Sequence, residues 1–218
     1  MNRPEEGVSK FTLQFAEQDC IDNAMVAEVE AWRNILYRLR LIGQSPERYE
    51  GAGYGNISVR IGGGDNVGFL VSGTQTGGLP ILSAKHYAVV TDWDPAGNRV
   101  SARGLSRPSS EALTHGQLYR FDEQVQCVVH AHCPEIWLQA DQLQLPCTDP
   151  AALYGTPEMA GEVRRIFADC RRSGQRLLVM GGHRDGVVSF GEDPAQAVGV
   201  MIETLALALA QSGAEDGA

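Results

Sequence analysis

Four strand-like segments that follow one another with no helix between them most constrain the fold of this sequence. The segment ISVRI alternates apolar and polar residues as a half-buried strand does, and VGFLVSG follows it as a second strand. HYAVVTDWDPAGNRVS then predicts two strands joined by a turn at DPAGN. Consecutive strands joined by short turns favour antiparallel pairing, so we expect a mostly antiparallel sheet with helices on its faces. A doubly wound parallel sheet is not expected.

Helical patterns precede and follow these strands. Apolar residues recur at three- and four-residue steps over residues 16–42, and a second helix is predicted over about 111–119. Thr156 has the position of an N-cap before a third helix, and Asp193 opens a long closing helix. The pattern as a whole predicts an α/β fold.

The sequence shows no internal repeat and no linker, which predicts a single domain. We expect an N-terminal segment over residues 1–15, one domain over 16–212 and a disordered tail over 213–218. A chain of 218 residues is long enough to bury a sizeable core.

Composition argues against several classes of protein. The net charge is −9 and no Lys/Arg cluster offsets it, so a nucleic-acid partner is not expected. Five cysteines form no CxxC pair, which favours a reducing cytoplasm over a disulfide scaffold. The polar start MNRPEEGVSK is not typical of a signal peptide. The longest apolar stretch covers about 14 residues and contains Glu203, whereas a bilayer span takes roughly 20, so no membrane segment is expected.

The run CVVHAHC carries two histidines inside an apolar strand. Alternate side chains of a strand share a face, so His130 and His132 point one way and Val129 and Ala131 the other. Two separately satisfied polar side chains are one interpretation. A metal would satisfy both imidazoles at once, and this spacing suits zinc and other late first-row metals.

A metal site of this kind needs a third protein ligand, and three other histidines are available. His183 ends an apolar strand among glycines that permit close backbone approach, whereas His86 is typical of a surface turn. His115 lies four residues after Glu111 on one helical face, so these two form a rival ligand pair. His115 could equally be a plain contact between helix and sheet.

Polar corners offer candidate anion sites. Ser109 and Ser110 open a helix, where hydroxyls and free amides converge, although a plain serine cap explains them equally well. Glu111 in the first turn is suitably placed for a general acid/base. GYGNIS and VSGTQTGG could be ordinary turns. Neither the dinucleotide-binding glycine fingerprint nor a Walker A sequence is present.

Taken together, these segments resemble the class II aldolase/adducin family, which includes L-fuculose-1-phosphate aldolases. The resemblance covers about residues 20–210 and rests on GYGNISVR, VSGTQTG, RPSSEALTHGQLYR, VVHAHCP and GGHRDGVVSFG in the family order. It implies a three-layer α/β/α sandwich, usually as a homotetramer, and a divalent metal, typically Zn²⁺ or else Mn²⁺ or Co²⁺. The implied metal site consists of His130, His132, His183 and Glu111. The implied phosphate-binding positions are Asn56, Ser72, Gly73, Ser109 and Ser110.

The resemblance implies a metal-dependent lyase that cleaves a C–C bond of a small sugar phosphate or related hydroxy-carbonyl compound through a metal-stabilised enediolate. Glu111 is then the catalytic acid/base. The glutamate in SSE is as in the aldolases, whereas the epimerase branch has aspartate there. An epimerase, dehydratase or decarboxylase of the same family, or a non-catalytic adducin-like binding module, is the alternative.

This sequence departs from the aldolases at two places. It lacks the longer tyrosine-bearing stretch after the HxH strand, and Tyr154 is a candidate replacement for the lost proton donor. GGHRDG also stands where His-Gly is commoner, so Arg184 and Asp185 are unusual beside the third histidine.

Overall fold

A computed structural model describes residues 9–62 and 68–215, which form an α/β fold around one large sheet. The predicted start of the second strand at Val67 and most of the N-terminal stretch MNRPEEGVSK lie outside these residues. The described strands are β1 (Thr12–Glu17), β2 (Gly43–Gln44), β3 (Gly53–Tyr54), β4 (Asn56–Ile61), β5 (Gly68–Ser72), β6 (Tyr87–Asp94), β7 (Arg99–Gly104), β8 (Cys127–His132), β9 (Leu177–Val179) and β10 (Gly186–Gly191). The helices are α1 (Asn23–Arg38), α2 (Ala112–Phe121), α3 (Pro134–Leu138), α4 (Pro157–Ser173) and α5 (Pro194–Glu215).

The large sheet has eight strands in the order β1-β7-β6-β5-β4-β8-β10-β9. Its described pairs are antiparallel except β1 with β7, so the predicted mostly antiparallel sheet is confirmed. β2 and β3 form a separate small antiparallel pair. The turn predicted between β6 and β7 is present.

Helices cover both faces of the sheet, which makes the three-layer sandwich. One core packs α2 and α4 against one face and contains Val128 of β8. The other core packs α1, α3 and α5 against the opposite face and contains Val129, the next residue along the same strand. Successive strand residues thus enter opposite cores, as the alternation of side chains requires.

The first helix is shorter than the sequence predicts. The periodic pattern over residues 16–42 predicts a helix there, but β1 continues to Glu17 and α1 runs from Asn23 to Arg38. Asp22 ends the non-helical stretch because its carboxylate accepts a hydrogen bond from the Met25 amide at 3.0 Å. β1 crosses the boundary predicted between residues 15 and 16 because it adds to the edge of the sheet beside β7.

The closing helix is longer than the apolar stretch of its sequence suggests. α5 reaches Glu215, so the first residues of the predicted disordered tail are helical, and residues 216–218 lie outside the described part. Within it, the 20 residues Pro194–Gly213 are long and apolar enough to cross a membrane by length and composition alone. The helix is therefore longer than the apolar stretch of about 14 residues on which the prediction of no membrane segment rests. One side of α5 nevertheless packs on the sheet through Val198 and Met201, as a helix of the core does.

A buried ion pair ties α1 to the sheet and offers a test of this architecture. Arg33 is 1 % exposed, and its Nε donates to Glu30 Oε2 at 2.8 Å. Its Nη2 donates to the carbonyl of Pro80 at 2.8 Å, and Glu30 accepts from the Tyr87 hydroxyl at 2.8 Å.

We predict that Arg33→Ala lowers the free energy of unfolding by about 3 kcal/mol, because Glu30, whose side chain is 12 % exposed, would lose its buried counter-ion. Arg38→Ala is the matched control on the same helix, since Arg38 is exposed. It should change the free energy of unfolding by less than about 0.5 kcal/mol. Urea unfolding followed by circular dichroism measures both values. Equal values for the two variants would contradict this account.

Candidate metal centre

Three buried histidines meet at one end of the central strands. His130 and His132 come from β8, and His183 comes from the loop between β9 and β10. One nitrogen of each imidazole lies within 4.8 Å of those of the other two, and each residue is at most 3 % exposed. The cluster could therefore hold a metal ion.

Strand alternation explains the orientation of the first two histidines. Val129 and Ala131 belong to the core against α1 and α5, so His130 and His132 face the opposite side. β8 is paired on both sides, and His130 lies opposite Asn56 of β4 and Val188 of β10. This double pairing fixes both imidazoles relative to the sheet.

Glycines position the third histidine. A Cβ atom on Gly181 would collide with the carbonyl of Thr148, and one on Gly182 would collide with that of Ala152. The loop therefore lies against the segment 148–152 only because these two residues lack side chains. The close backbone approach predicted for the glycines around His183 is present.

Hydrogen bonding fixes the tautomer of His130. Its Nδ1 lies 3.2 Å from the carbonyl of Val187, which can only accept, so Nδ1 carries the hydrogen. Its Nε2 then has a lone pair, is buried and has no hydrogen-bond partner in the described part of the chain. A buried, unsatisfied imidazole lone pair fits a metal ligand, and the bond from the other ring nitrogen is the usual supporting contact.

Burial keeps the imidazoles of His130 and His132 neutral. Desolvation holds the pKa of His130 well below its usual range, and the neighbouring His183 lowers it further. The pKa of His132 is lowered in the same way by burial and by the same neighbour. Neutral imidazole is the form that binds metals.

Glu111 completes the cluster from the opposite helix. It directly precedes α2, is 1 % exposed, and its Oε1 lies 3.9 Å from Nδ1 of His183. Its Oε2 accepts a hydrogen bond from the Thr114 hydroxyl at 2.7 Å, which orients the carboxylate. A carboxylate therefore stands beside the imidazole of His183, at the edge of the cluster.

His115 does not join this cluster. Its Nδ1 lies 2.7 Å from the Ser58 hydroxyl on β4, and that hydroxyl lies 2.7 Å from the Tyr119 hydroxyl. Burial lowers the pKa of His115 to about 3, so it is a neutral contact between helix and sheet. His86 lies in a short 3₁₀ turn beside Ser83, as its sequence context indicated.

A polar pocket opens next to the cluster. Four of the five predicted phosphate-binding residues line it together with Glu111 and His130, namely Asn56, Gly73, Ser109 and Ser110. The fifth, Ser72, does not line it, because its hydroxyl accepts from the backbone amide of Ile57 at 3.2 Å within the sheet. Thr74, Gln75 and Thr76 also line the pocket; they lie in the quoted VSGTQTGG stretch, which alone predicts only a turn.

Three tyrosines surround the histidines. Tyr49 lies edge-on to His132 with ring centroids 4.5 Å apart, and Tyr54 lies 5.6 Å from the same ring. Tyr154 stacks on His183 with ring centroids 4.5 Å apart, and the Lys10 ammonium lies 3.6 Å from the centroid of the Tyr154 ring. Sequence reasoning singled out Tyr154 only, since nothing local links Tyr49 to a histidine 83 positions later.

The sequence matches the family model of the Class II Aldolase and Adducin N-terminal domain over residues 46–211. No curated protein gives a significant match to this chain.

Solved structures share the fold at low sequence identity. An L-fuculose-1-phosphate aldolase from Thermus thermophilus is 20 % identical with a TM-score of 0.61, over 88 % of this chain and 95 % of that one. A sugar-phosphate aldolase from Thermotoga maritima is 15 % identical with a TM-score of 0.62, over 84 % and 93 %. YgbL from Escherichia coli, described as a candidate aldolase, epimerase or decarboxylase, is 19 % identical with a TM-score of 0.57, over 85 % and 87 %.

Identities this low show a common fold and nothing about substrate. The family match covers most of the chain, including β8, Glu111 and the loop of His183. The family match shows that the chain belongs to the class II aldolase/adducin family.

Proposed function

We propose that the protein is a metal-dependent lyase that cleaves a C–C bond of a small sugar phosphate or related hydroxy-carbonyl compound by a retro-aldol reaction. The observation that carries this proposal is the buried His130/His132/His183 cluster with Glu111 beside it, open to a polar pocket. A structural histidine cluster has no need for a carboxylate at its edge and a cavity in front of it.

The three histidines are proposed to hold one divalent cation, Zn²⁺ or else Mn²⁺ or Co²⁺. The unsatisfied Nε2 of His130 supports this assignment, since a cation would compensate its buried lone pair. Such a cation, when bound, supplies Lewis-acid stabilisation of the oxygens of a carbonyl substrate.

Glu111 is proposed as the catalytic acid/base. Its Oε1 lies 3.9 Å from His183 Nδ1, while the Thr114 hydroxyl donates to Oε2, so the carboxylate is oriented with Oε1 toward the histidine cluster. A carboxylate at this position can move a proton to or from the carbon that loses its bonded partner.

The polar pocket is proposed to bind the phosphate group. Asn56, Ser109 and Ser110 contribute side-chain polar groups, and Gly73 permits close approach of the backbone. The Nδ2 amino group of Asn56 can donate a hydrogen bond to a phosphate oxygen. Ser72 supports the pocket indirectly, because its hydroxyl accepts a hydrogen bond from the Ile57 amide.

We also propose that the protein acts in the cytoplasm as a homotetramer without nucleic-acid or membrane partners. Its five cysteines are all free, which suits a reducing compartment. Leu207 and Leu209 on α5 are 59 % and 53 % exposed, which is compatible with a subunit interface.

We predict that the purified protein binds about one divalent cation per chain and that His130→Ala loses it, because the variant removes one of three ligands. His86→Ala is the matched control, since this histidine lies in a turn away from the cluster. Plasma mass spectrometry after reconstitution and desalting measures the content. If the unsubstituted protein took up no metal, the lyase proposal would fail.

We predict that Glu111→Gln keeps the metal but lowers kcat at least about 100-fold, because the amide cannot exchange a proton. Glu158→Gln, at an exposed glutamate in the first turn of α4, should leave kcat unchanged.

The assay is product analysis on ketose phosphates by mass spectrometry. Cleavage yields two carbonyl fragments, whereas a product of unchanged mass indicates epimerisation. Full activity of Glu111→Gln would remove Glu111 from the role of acid/base.

A further inference from the structure

A chain segment remote in sequence reaches the histidine cluster from the side. The hydroxyl of Tyr49 donates a hydrogen bond to Asp185 Oδ2 at 2.7 Å, although the two residues are 136 positions apart. Arg48 Nη2 in turn donates to the Tyr49 hydroxyl at 2.7 Å. The Tyr49 ring packs edge-on against the candidate ligand His132. Its hydroxyl bonds to Asp185, which lies two residues after the candidate ligand His183.

Both partners of this hydrogen bond hold a left-handed backbone conformation. Tyr49 has φ of 51°, Glu50 of 58° and Asp185 of 61°. Tyrosine and glutamate rarely adopt this region, and such residues persist only where the surroundings stabilise them. Aspartate and asparagine tolerate it better than other side chains, which explains how a carboxylate can stand at position 185.

Asp185 links the loop of His183 to the end of β8. It follows His183 by two residues, and its carbonyl accepts a hydrogen bond from the Cys133 amide at 2.8 Å, directly after His132. Arg48 Nη2 also reaches the carbonyl of His132 at 3.3 Å. The side chain of Asp185 is 11 % exposed, and its hydrogen bond to Tyr49 is partly buried.

We infer that Tyr49 and Asp185 are positioning residues of the metal centre. Their hydrogen bond holds the loop of His183 against the end of β8, so that the imidazoles of His132 and His183 keep the spacing that one cation requires. Neither residue touches the reacting atoms. The inference rests on the metal site of the proposed function and assigns a role to the unusual aspartate of GGHRDG.

The neighbouring Arg184 has no such role. Its side chain is 80 % exposed and its Nε lies 3.8 Å from Asp185 Oδ2, which is a weak surface contact. Arg184→Ala is therefore a matched control within the same loop.

The test measures zinc affinity by competition with a chromophoric chelator. We expect Tyr49→Phe and Asp185→Gly each to weaken zinc binding about 10- to 100-fold, the usual effect of losing a residue that supports metal ligands. Glycine keeps the left-handed backbone, so this variant removes only the carboxylate. Asp185→Asn should restore much of the affinity because its amide oxygen still accepts from Tyr49. The double variant should bind zinc no more weakly than the weaker-binding single variant, since each single substitution already removes the same hydrogen bond.

A second readout separates positioning from general stability. The visible spectrum of the cobalt-loaded protein should change in Tyr49→Phe and Asp185→Gly and stay unchanged in Arg184→Ala, while thermal melting of the metal-free proteins should differ little. Unchanged affinity and spectrum in Tyr49→Phe, with a wild-type protein that binds zinc, would overturn the positioning role alone. A wild-type protein that binds no zinc would overturn the metal site as well.

Discussion

The register of β8 is the constraint on which both the fold and the site depend. All six of its residues are buried, and it pairs with β4 on one side and β10 on the other. A slip of one residue would turn His130 and His132 into the apolar core against α1 and α5. It would also turn Val129 and Ala131 toward Glu111. The same pairing that closes the sheet therefore aims the imidazoles, and the core cannot be packed correctly with the site misplaced.

The parts that could be predicted from sequence are those that local patterns determine. Alternation in CVVHAHC is enough to place two histidines on one face, and consecutive strands with short turns are enough for an antiparallel sheet. The glycines before His183 likewise predict a close backbone approach, but they do not predict which segment is approached. By contrast, β1 pairs with β7 about 87 positions away, and Tyr49 reaches Asp185 across 136 positions. Local periodicity contains no sign of such contacts, so it predicts too long a first helix and does not indicate Tyr49.

Burying an imidazole cluster costs stability that the surrounding core must offset. His130 and His132 lose the hydration of their charged forms, which is why their pKa values fall. The Nε2 lone pair of His130 adds a further cost because no donor in the described chain meets it. Apolar residues at such central positions would stabilise the sheet more. Local violations of packing rules are expected where a fold serves chemistry, and here they coincide on one face of one strand.

The candidate metal centre and the remaining pocket residues come from different parts of the fold. His130 and His132 lie on the paired central strand β8, and Glu111 lies at the start of α2, so these three residues depend on the fold that the solved structures share at 14–20 % identity. His183 comes from the loop between β9 and β10. Asn56 lines the pocket from β4, whereas Thr74, Gln75 and Thr76 line it from a loop. Loops can change sequence without disturbing the sheet. The loop that carries Thr74–Thr76 is therefore the part of the pocket to vary when the substrate is sought, while β8 is left intact.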